Sequence, residues 1–517
     1  MKLRRALSFA AILGALFATL AATGQNVVWL DGAGHPTLSA KQALSLIERS
    51  SDDGLDPDDY QYEELNRLAN RLGGASSAAD DRERFGAVLT AAMIRLFHDV
   101  HDGRVDPRAI GFRLNTPADR HDFAADLRQA AASRRLLERV DELRPPLAQY
   151  RLLQRALARY RELAGNGVGD QVVSASVSKV VRPGDSCEWA GRLGQRLMQL
   201  GDLSASEQAM VDLARYEGPV VEAVKRFQTR HGLEPDGVLG KATIAALRVP
   251  TQWRVRQIEL ALERLRWLPH LGDQRLLVVN IPMFQLWTWD RIPPSGTPLF
   301  GMNVVVGRAP GTQTPVFVAM MREVIFRPYW NVPRSIVLHE ILPAFARDPR
   351  YLERHDMELV RSDGGPAPVV ERTSDAMSGL RRGTLQVRQR PGPQNSLGLI
   401  KFEFPNDESV YMHGTPAQAL FAKPRRDFSH GCIRVEDPVR LAQWVLNDDV
   451  RWSRERLLAA TAGPTSIRVS VPQPIQVILF YTTAAVMPDD GSVRFAADIY
   501  GHDARLDRAL VHRVVSE

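Results

Sequence analysis

The chain is poor in cysteine, with only Cys187 and Cys432 among 517 residues. Two thiols allow one bridge at most, and it would join segments 245 residues apart that read as different domains. Such a bridge would also consume Cys432, which sits in the most reactive-looking stretch of the chain. Cys187 therefore reads as a partly buried, inert thiol. Long apolar runs are absent beyond the first twenty residues, which leaves no other segment of membrane-spanning length. No basic run interleaved with aromatics occurs, so a nucleic-acid partner is not expected. Metal-ligand patterns are also missing. His413, His430 and Cys432 have no closing carboxylate or H-x-x-E-H pair beside them, so no metal is expected. His98, His101 and Asp102 read as a solvated helix end.

What is present is ordinary globular material, with 44% apolar and 24% charged residues. The length suggests about three domains. Residues 1–24 read as a cleaved secretory signal: Lys2, Arg4 and Arg5 precede the apolar run Ala6 to Leu20, then small residues follow. Removing those three cations lowers the net charge from +6 to +3. No cysteine follows the leader, so lipid anchoring is not expected, and neither is stable membrane insertion. The expected location is the periplasm, where a mildly basic surface suits an anionic envelope.

The chemistry concentrates in Tyr411-Met412-His413-Gly414-Thr415-Pro416 and Ser429-His430-Gly431-Cys432-Ile433-Arg434-Val435. A free thiol has a pKa near ~8.5 and attacks as the thiolate, so it needs a base nearby. His413 lies nineteen residues upstream on a strand-like segment. Two adjacent strands joined by the loop 414–428 would place it beside Cys432. Gly431 has no Cβ to hinder a substrate carbonyl, and the N–H groups of Gly431 and Cys432 are candidate oxyanion donors. Tyr411 either donates its hydroxyl to substrate or packs. His430 orients the loop or acts directly. Arg434 offers a bidentate fork to a carboxylate. Ser429 reads as a turn residue rather than a nucleophile. Trp330 and Tyr329 either line the cleft or pack in the core.

These two motifs resemble the signature of the L,D-transpeptidases. Arg264-Leu265-Arg266-Trp267-Leu268-Pro269, Val279-Asn280-Ile281-Pro282, Pro328-Tyr329-Trp330-Asn331-Val332-Pro333 and Lys401-Phe402-Glu403-Phe404-Pro405-Asn406 resemble the large periplasmic members. At position 434 this chain has Arg where Asn is often found in the family. The resemblance implies a cysteine transpeptidase of peptidoglycan. Its donor is a tetrapeptide stem and its acceptor another stem, joined by a 3→3 cross-link. No cofactor is implied, and a carbapenem-type β-lactam is the implied inhibitor. The alternatives are an L,D-carboxypeptidase or other hydrolase on the same framework, and a non-catalytic wall-binding protein.

The fold expected is multidomain α+β. Residues 30–165 show helical periodicity, with apolar stripes such as Phe85, Val88, Leu89, Met93, Leu96 and Phe97, and read as a helical scaffold domain. After a small, polar linker, residues 180–248 resemble a three-helix peptidoglycan-binding module, with Phe227 in its core and a turn at Asp236-Gly237. Residues 255–470 read as the mostly-β L,D-transpeptidase catalytic domain, an antiparallel, sandwich-like set of strands. An insertion at 335–394, helical at first and then Gly- and Arg-rich, is expected to cap the active site. Residues 471–517 are expected to add C-terminal strands.

Overall fold

The computed structural model describes residues 27–72, 79–114, 121–165, 179–268, 271, 274–361, 376–448 and 450–516. The expected leader, most of the polar linker and part of the insertion's Gly-rich stretch lie outside these residues. The chain divides into two compact units. One holds the chain up to residue 272 with 293–297 and 481–517; the other holds 273–292 and 298–480.

The first unit is helical, as the apolar periodicity requires. Helices Leu38–Glu48, Tyr62–Leu72, Ala79–His101, Phe123–Ala132 and Leu136–Leu143 bury one stripe each around a shared core that includes Phe85, Leu89, Phe97 and Leu127. Helices Ala190–Leu200, Pro219–Arg230 and Lys241–Leu247, with a single turn at Ala205–Gln208, form the module that follows. Phe227 is buried there, and Gly237 takes the left-handed turn conformation expected of it. Cys187 is a buried, free thiol, and burial pushes its pKa up.

Helix Thr251–Arg266 carries buried charge through this unit. Arg264 meets Asp503 at 2.5 Å, and Arg266 meets Glu263 at 2.8 Å, all with side chains essentially sealed from water. Glu263 also accepts from the backbone of Arg104 and Val105. A buried ion is tolerable only while its partners remain.

The second unit is built on one large sheet. Its strands are β1 (Leu276–Asn280), β2 (Gln285–Trp289), β3 (Phe300–Gly307), β4 (Phe317–Phe326), β8 (Ile400–Glu403), β9 (Met412–His413), β10 (Asp427–Ser429), β11 (Ile433–Val435) and β12 (Ile467–Phe480), in the order β10-β3-β11-β9-β8-β4-β12-β1-β2. Strand β2 also pairs with β3, which closes the sheet on itself. The domain therefore differs from the antiparallel sandwich expected. It is a closed, mixed sheet in which β1–β12, β9–β11 and β3–β10 are parallel pairs. Parallel pairing needs long crossovers, and local alternation carries no trace of them.

The insertion is a subdomain with its own core. Strands β5 (Trp330–Asn331), β6 (Met357–Arg361) and β7 (Leu385–Gln389) form a separate small sheet. Val332, Ile336, Leu352, Leu359 and Val387 pack beneath it.

Two expectations at the C-terminal end are corrected. The boundary at 470/471 falls inside β12, which is one strand across that point, paired with β4 on both sides of an irregularity between Ser470 and Ile475. Residues 471–517 are also not all strands. After the hairpin of β13 (Ala484–Val486) and β14 (Val493–Phe495) comes a helix, His502–Ser516, whose Leu506 and Leu510 are buried at helical spacing.

Glu263→Gln should destabilise the first unit by roughly 3–5 kcal/mol, because Arg266 then loses the carboxylate it is paired with while remaining buried. Chemical denaturation of the variant measures this, and an unchanged midpoint would remove the buried pair from the account.

Candidate active site

Strand alternation assembles the site. Side chains alternate faces along a strand, and neighbours in register share a face. In the parallel pair β9–β11, Met412 is level with Ile433 and His413 with Arg434. One step back, Ile433 N–H donates to Tyr411 O at 3.1 Å, which sets Cys432 level with Tyr411. On the other side, Lys401 of β8 is level with His413. Lys401, Tyr411, His413, Cys432 and Arg434 therefore share one face. Phe402, Met412 and Ile433 fill the opposite, fully buried face. The two strands expected to bring His413 toward Cys432 are neighbours.

Glycine fixes two close approaches here. Gly398 has φ +63°, and a Cβ on it would lie 2.6 Å from Thr415 N and 2.7 Å from the carbonyl carbon of Gly414. The backbone just after His413 thus packs directly on that of Gly398. Gly431 has φ +115°, a conformation that disfavours side chains, in the tight bend between β10 and β11 that leads into the half-buried Cys432.

Hydrogen bonds then fix each group. Ser429 Oγ donates to Cys432 O at 2.5 Å and accepts from Gly431 N–H at 3.2 Å. This differs from the expectation that Gly431 N–H is a free oxyanion donor, because the neighbouring hydroxyl already takes it. Thr314 Oγ1 donates to Gly431 O at 2.7 Å, and Thr312 Oγ1 to Ser429 O at 3.1 Å. The Cys432 thiol faces Ser409 O at 3.9 Å. Ser409 itself is left-handed, at φ 56°. The loop before it is built on the Asn406 side chain, which bonds Phe404 O, Val410 O, Glu408 N and Val410 N.

The Tyr411 hydroxyl is a polar neighbour of the Cys432 sulfur, and the Trp330 indole is a polar neighbour of that hydroxyl. An indole N–H can only donate, so it acts on the hydroxyl oxygen and leaves the Tyr411 proton available to the sulfur. Lys401 Nζ lies 4.1 Å from the centre of the Tyr411 ring. Burial, with the neighbouring cysteine, raises the Tyr411 pKa far enough that the hydroxyl keeps its proton.

His413 is buried, at 5% exposure. Its Nδ1 lies 2.6 Å from Gly414 O. A carbonyl only accepts, so Nδ1 carries the proton and Nε2 is left as the basic nitrogen. Burial first, then the charges of Arg434 and Lys401, lower its pKa from the ordinary 6.5 to about 3. Burial raises the Cys432 thiol, against smaller opposing effects of Tyr411, Lys401 and Arg434. At rest both partners are neutral. Arg434 is itself partly desolvated, and its Nε is buried with no hydrogen-bond partner among the described residues.

Residues 274–469 match the family model described as "L,D-transpeptidase catalytic domain". The sheet that carries His413 and Cys432 is therefore similar to the catalytic domain of the L,D-transpeptidases. Residues 16–157 match a "Scaffold domain", and 192–247 a "Putative peptidoglycan binding domain". A curated protein of Haemophilus influenzae named "Putative L,D-transpeptidase" is 28% identical over 258 residues, which are 50% of each chain. The chain thus spans about half the length of that relative.

In this domain the insertion reaches the site twice. Trp330, on β5, is the polar neighbour of the Tyr411 hydroxyl. Glu340, in a π-helical turn Val337–Ile341, meets His430 Nε2 at 2.6 Å. His430 is thereby tied to the insertion and holds the cysteine loop. Glu340 had no signal in the sequence, since it stands ninety residues from its partner. Tyr329 is exposed at 44% and stacks on Arg388 within the insertion rather than in the core.

The neutral histidine has a pH consequence. A native pKa near 3 means that the unfolded chain binds more protons than the folded one below pH 6.5. The stabilisation is fully present above pH 6.5 and is lost as the pH falls toward the native value. By pH 4 the loss from His413 is about 3 kcal/mol. Denaturation midpoints of the wild type should fall between pH 7 and 4, and His413→Gln should flatten that slope. An equally steep slope in the variant would assign it to other groups.

Proposed function

We propose that this protein is exported to the cell envelope and forms 3→3 cross-links in peptidoglycan through a thioester on Cys432. The observation that carries this reading is the single sheet face that gathers Lys401, Tyr411, His413, Cys432 and Arg434. It supplies a nucleophile, a basic imidazole nitrogen, a protonated hydroxyl and two cations.

The donor is a tetrapeptide stem. Its free carboxylate binds Arg434, whose buried Nε lacks an acceptor, with Lys401 beside it. That negative charge offsets the two cations that depress His413, so its basicity rises when substrate is present. His413 Nε2 then takes the thiol proton as sulfur attacks the carbonyl at the L-centre of diaminopimelate. The oxyanion is met by Cys432 N–H and the Tyr411 hydroxyl, which Trp330 holds in place. The C–N bond breaks, and D-alanine leaves with the proton from His413. The side-chain amine of a second stem attacks the thioester, gives its proton to His413 and regenerates the thiol. The insertion, closed on the loop through Glu340 and Trp330, keeps water from that thioester.

Purified protein incubated with a disaccharide-tetrapeptide should yield cross-linked dimers lacking one D-alanine, read by mass spectrometry. Tripeptide monomers alone would replace this reading with a carboxypeptidase. Cys432→Ala should abolish both the dimer and covalent labelling by a carbapenem; a label retained elsewhere would remove Cys432 from its role.

Tyr411→Phe should keep the fold and lower kcat roughly 10²-fold, the usual scale for one oxyanion donor. Glu340→Gln should leave acylation intact while raising the share of thioester lost to water. An unchanged ratio of dimer to hydrolysed monomer would make the insertion a passive neighbour.

A further inference from the structure

Away from Cys432, the helical unit contains a cavity of about 380 Å³ whose walls come from three separate stretches of chain. Arg159 and Tyr160 lie on helix Ala148–Gly165, Asp202 and Arg230 in the module, and Ser492 to Arg494 at β14. This volume lies in the range of small-ligand sites, ~300–1,000 Å³.

The floor is rigid. Arg230 is sealed from water and held by Asp202, with Nε–Oδ1 at 2.5 Å, and it also reaches Tyr160 Oη at 3.3 Å and Val493 O at 3.4 Å. It therefore pins all three wall segments together and is not free to bind anything. Arg226 beside it is paired with Glu207. Near the mouth the balance differs. Arg494 shares its field with Asp490. Arg159 has a neutral partner, Leu200 O at 3.1 Å. A Cβ at position 201 would lie 2.5 Å from Arg159 Nη2, so Gly201 makes room for that guanidinium. The result is a preformed polar cleft with one planar cation that has no charged partner among the described residues and a second that is partly compensated. A guanidinium fork fits a carboxylate in a bidentate way.

We propose that this cavity binds a carboxylate-bearing stem peptide of peptidoglycan as a non-catalytic anchor. The inference rests on the envelope function proposed above. It also makes the anchor composite. The stretch that matches the peptidoglycan-binding model, 192–247, supplies only part of the walls.

The test uses the full chain and insoluble peptidoglycan in a pelleting assay. Turnover of a soluble disaccharide-tetrapeptide is followed in parallel, which tests the proposed reaction separately. Arg159→Gln combined with Arg494→Gln should weaken binding to peptidoglycan roughly tenfold, the scale of a lost charged hydrogen bond. Turnover of the soluble stem should stay unchanged. Thr229→Asp, at an exposed position on the cavity wall, adds a repelling carboxylate and should act in the same direction; the native contact it removes is the hydrogen bond from Thr229 Oγ1 to Lys225 O at 2.9 Å, within its own helix. Binding equal to wild type in both variants overturns the anchor, even if the soluble stem is still turned over. Inorganic phosphate that competes as well as the soluble stem also overturns the assignment to a peptide carboxylate.

Discussion

The active site depends on the register of two short parallel strands. The side-chain period of a strand is two, so a one-residue slip between β9 and β11 would send Cys432 to the face opposite Tyr411 and His413. Strands this short, two and three residues, cannot hold a register by ladder bonds alone. Burial of Met412 and Ile433 on the far face penalises a slip, because it would drive the polar set into the core. The backbone contact of Gly398 with Gly414 and Thr415 adds a steric stop. Helix Pro438–Leu446 adds another. It starts where Asp437 caps Arg440 N–H, and its Pro438 lies against Gly414.

That register also explains why the resting site is quiet. The same burial that positions the pair penalises charge on both, raising the thiol and lowering the imidazole. Arg434 and Lys401 act on the two groups in opposite senses, favouring a thiolate and opposing an imidazolium. A cysteine beside a protonated histidine would be permanently reactive. Here burial keeps the histidine neutral, and the two cations add to that effect. Desolvation is the largest effect on each group, so the site's behaviour follows from how deeply the sheet face is covered. The insertion provides part of that cover through Trp330.

The sequence displayed the candidate reacting groups more clearly than their surroundings. The spacing of His413 and Cys432, with strand-like residues before each, was enough to place them on neighbouring strands. The helical stripes of the first unit were equally readable, because 3.6-residue periodicity is local. Sheet closure was not readable. It depends on β1 lying along β12, some two hundred residues later, and on β2 returning to β3. The insertion's small sheet was missed for a related reason: its strands are short and one has only two residues. At residue level, Gly431 shows the limit of motif reasoning. Its position beside the proposed nucleophile, Cys432, suggested a free N–H, yet a serine two residues earlier already accepts it. Glu340 gave no signal at all, since an ion pair across ninety residues leaves no spacing to read.

The helical unit shows the same limit on a larger scale. Arg230 belongs to the stretch matching a peptidoglycan-binding model, but its hydrogen bonds go to Tyr160 before that stretch and Val493 long after it. Arg264 and Arg266 likewise find their counter-charges or acceptors at Asp503, Tyr150 and Asp53. A buried arginine is stable only if several oxygens converge on it, and no single helix can supply them all. The C-terminal hairpin and helix are therefore part of the helical unit's interior. The module's helices reach their final polar environment only when residues 481–516 have folded onto the same unit. Whatever that surface binds is then a property of the assembled chain, because its walls are fixed by charges contributed from both ends of the sequence.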